Sequence, residues 1–173
     1  MRVFTYGSLM AGGWQDHFGG SAVGKATLLA FRRSFNKRST TNWGTTQNPA
    51  PTLGLEPADD GTCMGMLFDL PDARQDDVLA FLRKREGKSF EFLMLEVHLE
   101  DGSVVSARTP VNDRTRATYI GALTLNERAR MARAAVGSKG SGIDYVRSIR
   151  QTLHRLGIED PSVEAFSNLV EFG

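Results

Sequence analysis

The chain contains a single cysteine, Cys63, so no intrachain disulfide can form. A lone thiol suits a reducing compartment, and the expected location is cytoplasmic. Long apolar runs are also missing. No stretch nears the roughly 18 consecutive apolar residues of a membrane span, and the N-terminus lacks the charged region, apolar core and cleavage site of a secretory leader. Net charge is scarce: 21 basic and 20 acidic residues leave a formal +1, which gives no general pull toward nucleic acid or an anionic membrane. The three histidines, His17, His98 and His154, lie far apart and outside any HxxxH or HExxH pattern, so no metal site is expected. The basic clusters Arg32-Arg33 and Arg83-Lys84-Arg85 lack the interleaved aromatics of a nucleic-acid platform and read as solvated faces.

What is present is ordinary globular material. A chain of 173 residues, 40% hydrophobic and 24% charged, fits one domain over 1–173 with a sizeable core. The first half reads as strands. Residues 22–35 form one long or bent strand, and a Thr-, Asn-, Gly- and Pro-rich loop leads to a short strand over 52–55. A loop of that length is uncommon unless it covers a site. A compact strand follows over 63–70, with Cys63 as a buried structural thiol. Residues 71–86 read as a helix with Asp72 as N-cap and Gly87 beyond its end. A hairpin over 90–99 and 103–109 turns at Asp101-Gly102. The second half reads as helices over 124–136, 142–156 and from 161 onward, the first capped by Thr124 or Asn126 and the last opened by Asp160-Pro161. Strands followed by helices argue for an α+β fold, a small curved sheet or barrel with helices packed on it.

The first strand ends at Tyr6-Gly7-Ser8 with no turn-and-return signal. A glycine there marks either a β-bulge or a corner whose backbone N–H groups can hold an anion. Gly19, Gly24 and Lys25 match the spacing of a phosphate-binding loop, but Ala26 stands where that loop needs Ser or Thr, and a strand rather than a helix follows. Glu86 is more informative. With Leu79 and Leu82 it follows i, i+3, i+7 spacing, which sets a carboxyl on the apolar face at a helix C-terminus. Burial and the helix dipole both disfavour its charged form, the condition under which a carboxyl can move protons near neutral pH. On pattern alone, that reading and a plain ion pair with Arg83 or another basic neighbour both stand.

Five segments in order resemble the γ-glutamylcyclotransferases, most of all the ChaC branch: VFTYGSL, FRRSF, NWGTTQNPAPTLGLEP, CMGMLFDLP with its helix ending REG, and YIGALTLNERARMARAAVGSKGSGIDYVRSI. The resemblance spans nearly the whole chain. It implies a small mixed β-barrel flanked by helices. It also implies cyclisation of a γ-glutamyl group to 5-oxoproline with release of the attached amine, which in the ChaC branch is cysteinylglycine from glutathione. By motif, Glu86 matches the catalytic acid/base. Val3, Phe4, Thr5, Tyr6, Gly7, Ser8 and Leu9 match the substrate-binding loop, and Tyr119 matches the tyrosine of the YLG motif. No metal or cofactor is implied, and the implied partner is a small γ-glutamyl substrate; the oligomeric state is left open. The branch carries Gly where this chain has Thr5 and a tyrosine where it has Phe90, and AGGWQDHFGG is unlike its usual continuation. Other γ-glutamyl amines or amino acids therefore stand beside glutathione, and a non-catalytic carboxylate-binding protein is the third reading. A hydrolase using Ser8 fits poorly, because no Gly-x-Ser-x-Gly elbow surrounds it.

Overall fold

The computed structural model describes residues 1–87 and 89–173. The chain divides into two compact units, Met1–Phe31 with Pro57–Asp113, and Arg32–Glu56 with Arg114–Gly173. The first contains a closed five-stranded barrel in the order β1-β3-β2-β4-β5. Its strands are β1 (Arg2–Thr5), β2 (Ser21–Ser39), β3 (Ala50–Asp69), β4 (Phe90–Leu99) and β5 (Val104–Asn112), of which β2 and β3 continue into the second unit. β1 runs antiparallel to β3, pairing Val3 with Phe68 and Thr5 with Met66, and parallel to β5 at Val3 and Arg108, so the barrel is mixed. The expected hairpin is present: β4 pairs with β5 from Phe90–Asn112 to His98–Val104. Gly102 takes φ 83° at its turn, where the Asp101 carboxylate accepts from the Ser103 amide and hydroxyl.

The structure departs from the sequence expectations in β3 and at the start of the following helix. The strands read separately at 52–55 and 63–70 are one 20-residue strand, β3. The intervening Pro57, Asp59, Asp60 and Gly61 look like a turn, but the backbone stays extended. A Cβ on Gly61 would stand 2.9 Å from Ala58 and from the Phe31 backbone, a close approach only glycine permits. Asp72 does not cap the following helix. It belongs to a separate 3-10 turn, Asp72–Arg74, and accepts from the N-terminal ammonium at 2.5 Å. That contact holds its carboxyl below the usual carboxylate range. Helix α1 (Gln75–Glu86) starts with Arg74 at its N-cap and ends at Gly87, φ 80°. It buries Val78 and Leu82 in a cluster with Val3, Leu9, Phe18, Phe68 and Leu70.

Thr5 lies where the paired strands β1 and β3 approach closely at Gly65. A Cβ on Gly65 would collide with the Thr5 carbonyl and stand 2.7 Å from the Phe4 ring. Gly65→Ala is therefore expected to cost about 1–3 kcal/mol, the usual range for overpacking, read as a lower urea midpoint. An unchanged midpoint would show that β1 and β3 separate freely.

The second unit contains α2 (Leu125–Ala134), α3 (Gly142–Arg155), α4 (Pro161–Phe172) and a two-residue-per-strand hairpin, β6 (Val136–Gly137) with β7 (Gly140–Ser141). Thr124, not Asn126, caps α2 through a capping box with Glu127. Ser141 and Asp144 cap α3 in the same way, and Asp160 caps α4 through Ser162 N and Val163 N. The core includes Phe35 stacked on Phe166 at 4.3 Å, with Val146, Ile149, Leu153, Val163 and Val170 buried. Arg33 is 1% exposed and paired with Asp160 at 2.8 Å, so half of the Arg32-Arg33 cluster is not a solvated face. In β2 the inward positions are Ala26 and Leu28, then Arg33 and Phe35. The alternation changes parity around Ala30, which takes φ 60°, the one positive φ outside glycine among the described residues. No helix among the described residues is long and apolar enough to cross a membrane.

Candidate active site

β1 stops at Thr5, and a 3-10 turn, Ser8–Ala11, follows directly. The corner is therefore a strand-to-turn junction rather than a bulge. Met10 N donates to Gly7 O at 2.9 Å and closes it. Gly7 sits at φ −128°, so the corner does not demand a left-handed residue. The first amides of such a turn have no partner within it. Tyr6 is buried and donates its hydroxyl to Pro110 O at 2.8 Å, tying the corner to β5. Leu9 is buried in the same cluster as Leu82 of α1.

That cluster sets the end of α1 against the corner. Glu86 lies one helical turn beyond Leu82, on the same face. The neighbouring Arg85 donates from Nη2 to Ser8 Oγ at 3.3 Å, while its Nε stands 4.0 Å from Glu86 Oε1. Glu86 is partly covered, its side chain 21% exposed. The first unit thus brings together Tyr6, Gly7, Ser8, Leu9 and Glu86, by way of a leucine pair and an arginine bridge. Sequence reading placed Arg85 in a solvated cluster. It is 41% exposed, yet it spans from the helix end to the corner, and no spacing rule links residues 77 positions apart.

The remaining candidates occupy different environments. Val3, Phe4 and Thr5 are fully or almost fully buried, so their side chains serve the barrel core. The Thr5 hydroxyl donates to Met66 O at 3.3 Å. Phe90, at the start of β4, is also buried.

Tyr119 belongs to the second unit. Its hydroxyl donates to Glu56 Oε1 at 2.7 Å, and the Arg114 guanidinium stands over its ring at 5.5 Å. Glu56 Oε2 accepts from Asn36 Nδ2 at 2.7 Å. Burial and the Glu56 carboxylate push the Tyr119 hydroxyl above its ordinary range. Sequence reading missed Glu56, which stands in an ordinary-looking LEP stretch. The Tyr-x-Gly spacing does have a physical reason here, because a Cβ on Gly121 would collide with the Tyr119 ring and hydroxyl. Gly121→Ala is expected to displace the ring and break the Tyr119–Glu56 bond. Ultraviolet titration should show this as a downward move of the tyrosine pKa; an unmoved titration would refute the contact.

Among the described residues no group of three or more His, Cys, Asp and Glu could hold a metal ion.

The profile of the ChaC-like protein family matches residues 1–172. A glutathione-specific γ-glutamylcyclotransferase of Escherichia coli K12 is 29% identical over 160 residues, covering 91% of this chain and 67% of that protein. γ-Glutamylcyclotransferase 2-3 of Arabidopsis thaliana is 27% identical, covering 98% of this chain and 88% of that protein. Among solved structures, a glutathione-specific γ-glutamylcyclotransferase from yeast superposes with a TM-score of 0.87 at 21% identity, covering 98% of this chain and 95% of that one. At that identity the superposition establishes the fold.

Proposed function

The chain belongs to the ChaC-like protein family, and on that premise we propose that it cyclises the γ-glutamyl group of glutathione to 5-oxoproline, releasing cysteinylglycine. The observation that carries the proposal is the meeting of a partly covered carboxyl, Glu86, with the Tyr6–Leu9 corner through Arg85 and Ser8.

The chemistry needs little else. The nucleophile is the substrate's own α-amine, and its target is the substrate's own γ-carbonyl carbon. An α-amine has an ordinary pKa of about 7.7–8.0, so at neutral pH it is largely protonated and needs a base. Glu86 takes that role. As the amine attacks, the C–N bond of the lactam forms and the carbonyl oxygen gains charge. As the intermediate collapses, the γ-amide C–N bond breaks and Glu86 returns a proton to the leaving nitrogen. The protons lost by the attacking nitrogen are those gained by the leaving one, and no water is consumed. Backbone amides at Tyr6–Leu9 are proposed to hold the substrate's α-carboxylate or the developing oxyanion. Folding the flexible glutamyl chain into a ring-like pose contributes most, because intramolecular orientation can reach effective molarities on the order of 10⁵–10⁸ M.

In this reading Ser8 orients Arg85 and is not a nucleophile. Tyr119 is kept as a proposed substrate contact on its motif alone. The single cysteine, Cys63, is buried and outside any disulfide, which suits a reducing, cytoplasmic setting.

Comparing kcat/KM for glutathione, γ-glutamylalanine and a γ-glutamylamine tests the substrate assignment. Glutathione is expected to lead. A larger value for either rival would keep cyclotransfer and replace the substrate, and no turnover of any of the three would reject the enzyme reading.

A further inference from the structure

The second unit has a cleft that the proposed reaction does not use. It is lined by Arg32, Arg33, Phe35, Arg128 and, from α4, Ala165 and Phe166. Of its three guanidiniums only Arg33 has a carboxylate, that of Asp160 at 2.8 Å. Asp160 also caps α4, so it is fully engaged. Among the described residues no carboxylate lies within 4 Å of Arg32 or Arg128.

Arg128 is the unusual member. It is 7% exposed, and its Nη1 donates only to neutral acceptors, Ser34 Oγ at 2.9 Å and Phe35 O at 3.2 Å. Its Nε is buried without a partner. Glu56 attracts it from beyond pairing distance, but the Glu56 oxygens already accept from Asn36 and Tyr119. Burial pushes the guanidinium below its ordinary range, and Arg32 adds like-charge repulsion. Buried charges in folded proteins are generally paired. This one has half of a pairing arrangement, beside a second uncompensated guanidinium and an apolar wall.

We propose that this cleft binds a small organic carboxylate, with its charge on Arg128 and Arg32 and an apolar body against the exposed apolar rim formed by Leu125, Pro161 and Ala165. The guanidinium fork matches a carboxylate, and the apolar rim favours a head group that carries a hydrocarbon body over a bare inorganic anion.

Benzoate is the probe, titrated by calorimetry and by amide shifts of the labelled protein, with inorganic phosphate as the second anion. Arg128→Met removes the bonds to Ser34 and Phe35 of β2 that help hold the fold, so two exposed substitutions carry the test. Arg32→Glu reverses a surface charge, and Ala165→Phe fills the cleft from α4. Benzoate is expected to bind with Kd on the order of 1 mM, weakened at least ~10-fold by Arg32→Glu, the loss of one charge-assisted contact, and abolished by Ala165→Phe. The proposal is overturned if benzoate shows no saturable binding, if both variants bind it as the parent does, or if phosphate binds as tightly. The readout is binding, so its result is independent of turnover.

Discussion

Glu86→Gln is expected to fold as the parent does, keep KM for glutathione within a few-fold, and lose at least ~10²-fold in kcat, the range of general acid/base catalysis. The substitution preserves size and hydrogen-bonding capacity and removes only the group that carries the proton. Leu82 and Val78, which anchor α1 in the barrel cluster, are untouched. Arg85 retains its bond to Ser8. Initial rates with glutathione, alongside a thermal melt, separate a chemical loss from a folding loss. A folded Gln variant with near-parental kcat would remove Glu86 from the mechanism.

The second large effect concerns stability in the other unit. Arg33→Met is expected to destabilise by about 3–5 kcal/mol, because it leaves the Asp160 carboxylate buried without its partner. For a chain of this size that corresponds to a fall in Tm of roughly 10 °C. The Arg33→Met, Asp160→Asn double variant should recover part of the loss, since Asn removes the stranded charge and still caps α4. Calorimetric melts of the two variants decide it. A single variant melting within ~2 °C of the parent would mean that the pair adds nothing.

These two residues show what could be read from the sequence and what could not. Glu86 stands out in the sequence because a carboxyl at i+7 on an apolar helical face conflicts with its place, although a plain ion pair with a basic neighbour fits the same pattern. Asp160 was visible as the start of α4 because Asp-Pro before an apolar face is a local signal. Arg33 was not, because its inward direction depends on the parity change in β2 around Ala30, and nothing about an alanine announces a left-handed residue. The continuity of β3 was hidden for a related reason, since Pro57 to Gly61 carries turn residues in a segment held extended by its neighbours.

The helices of the second unit were legible nearly to the residue because their caps are local. The bond between Arg85 and Ser8 was not, because a cluster of distant leucines brings them together. Element order left a curved sheet or a barrel open and family resemblance implied the barrel; its mixed character rests on the parallel pairing of β1 with β5. What makes the candidate site, a corner and a helix end held by Leu9, Leu82 and Arg85, is tertiary in origin.

The most direct test is to incubate the purified protein with glutathione and quantify 5-oxoproline, cysteinylglycine and glutamate by mass spectrometry. The account predicts 5-oxoproline and cysteinylglycine in equal amounts with no glutamate. Glutamate in place of 5-oxoproline would mean that water, not the substrate's own amine, attacks the γ-carbonyl, and would contradict the cyclisation mechanism.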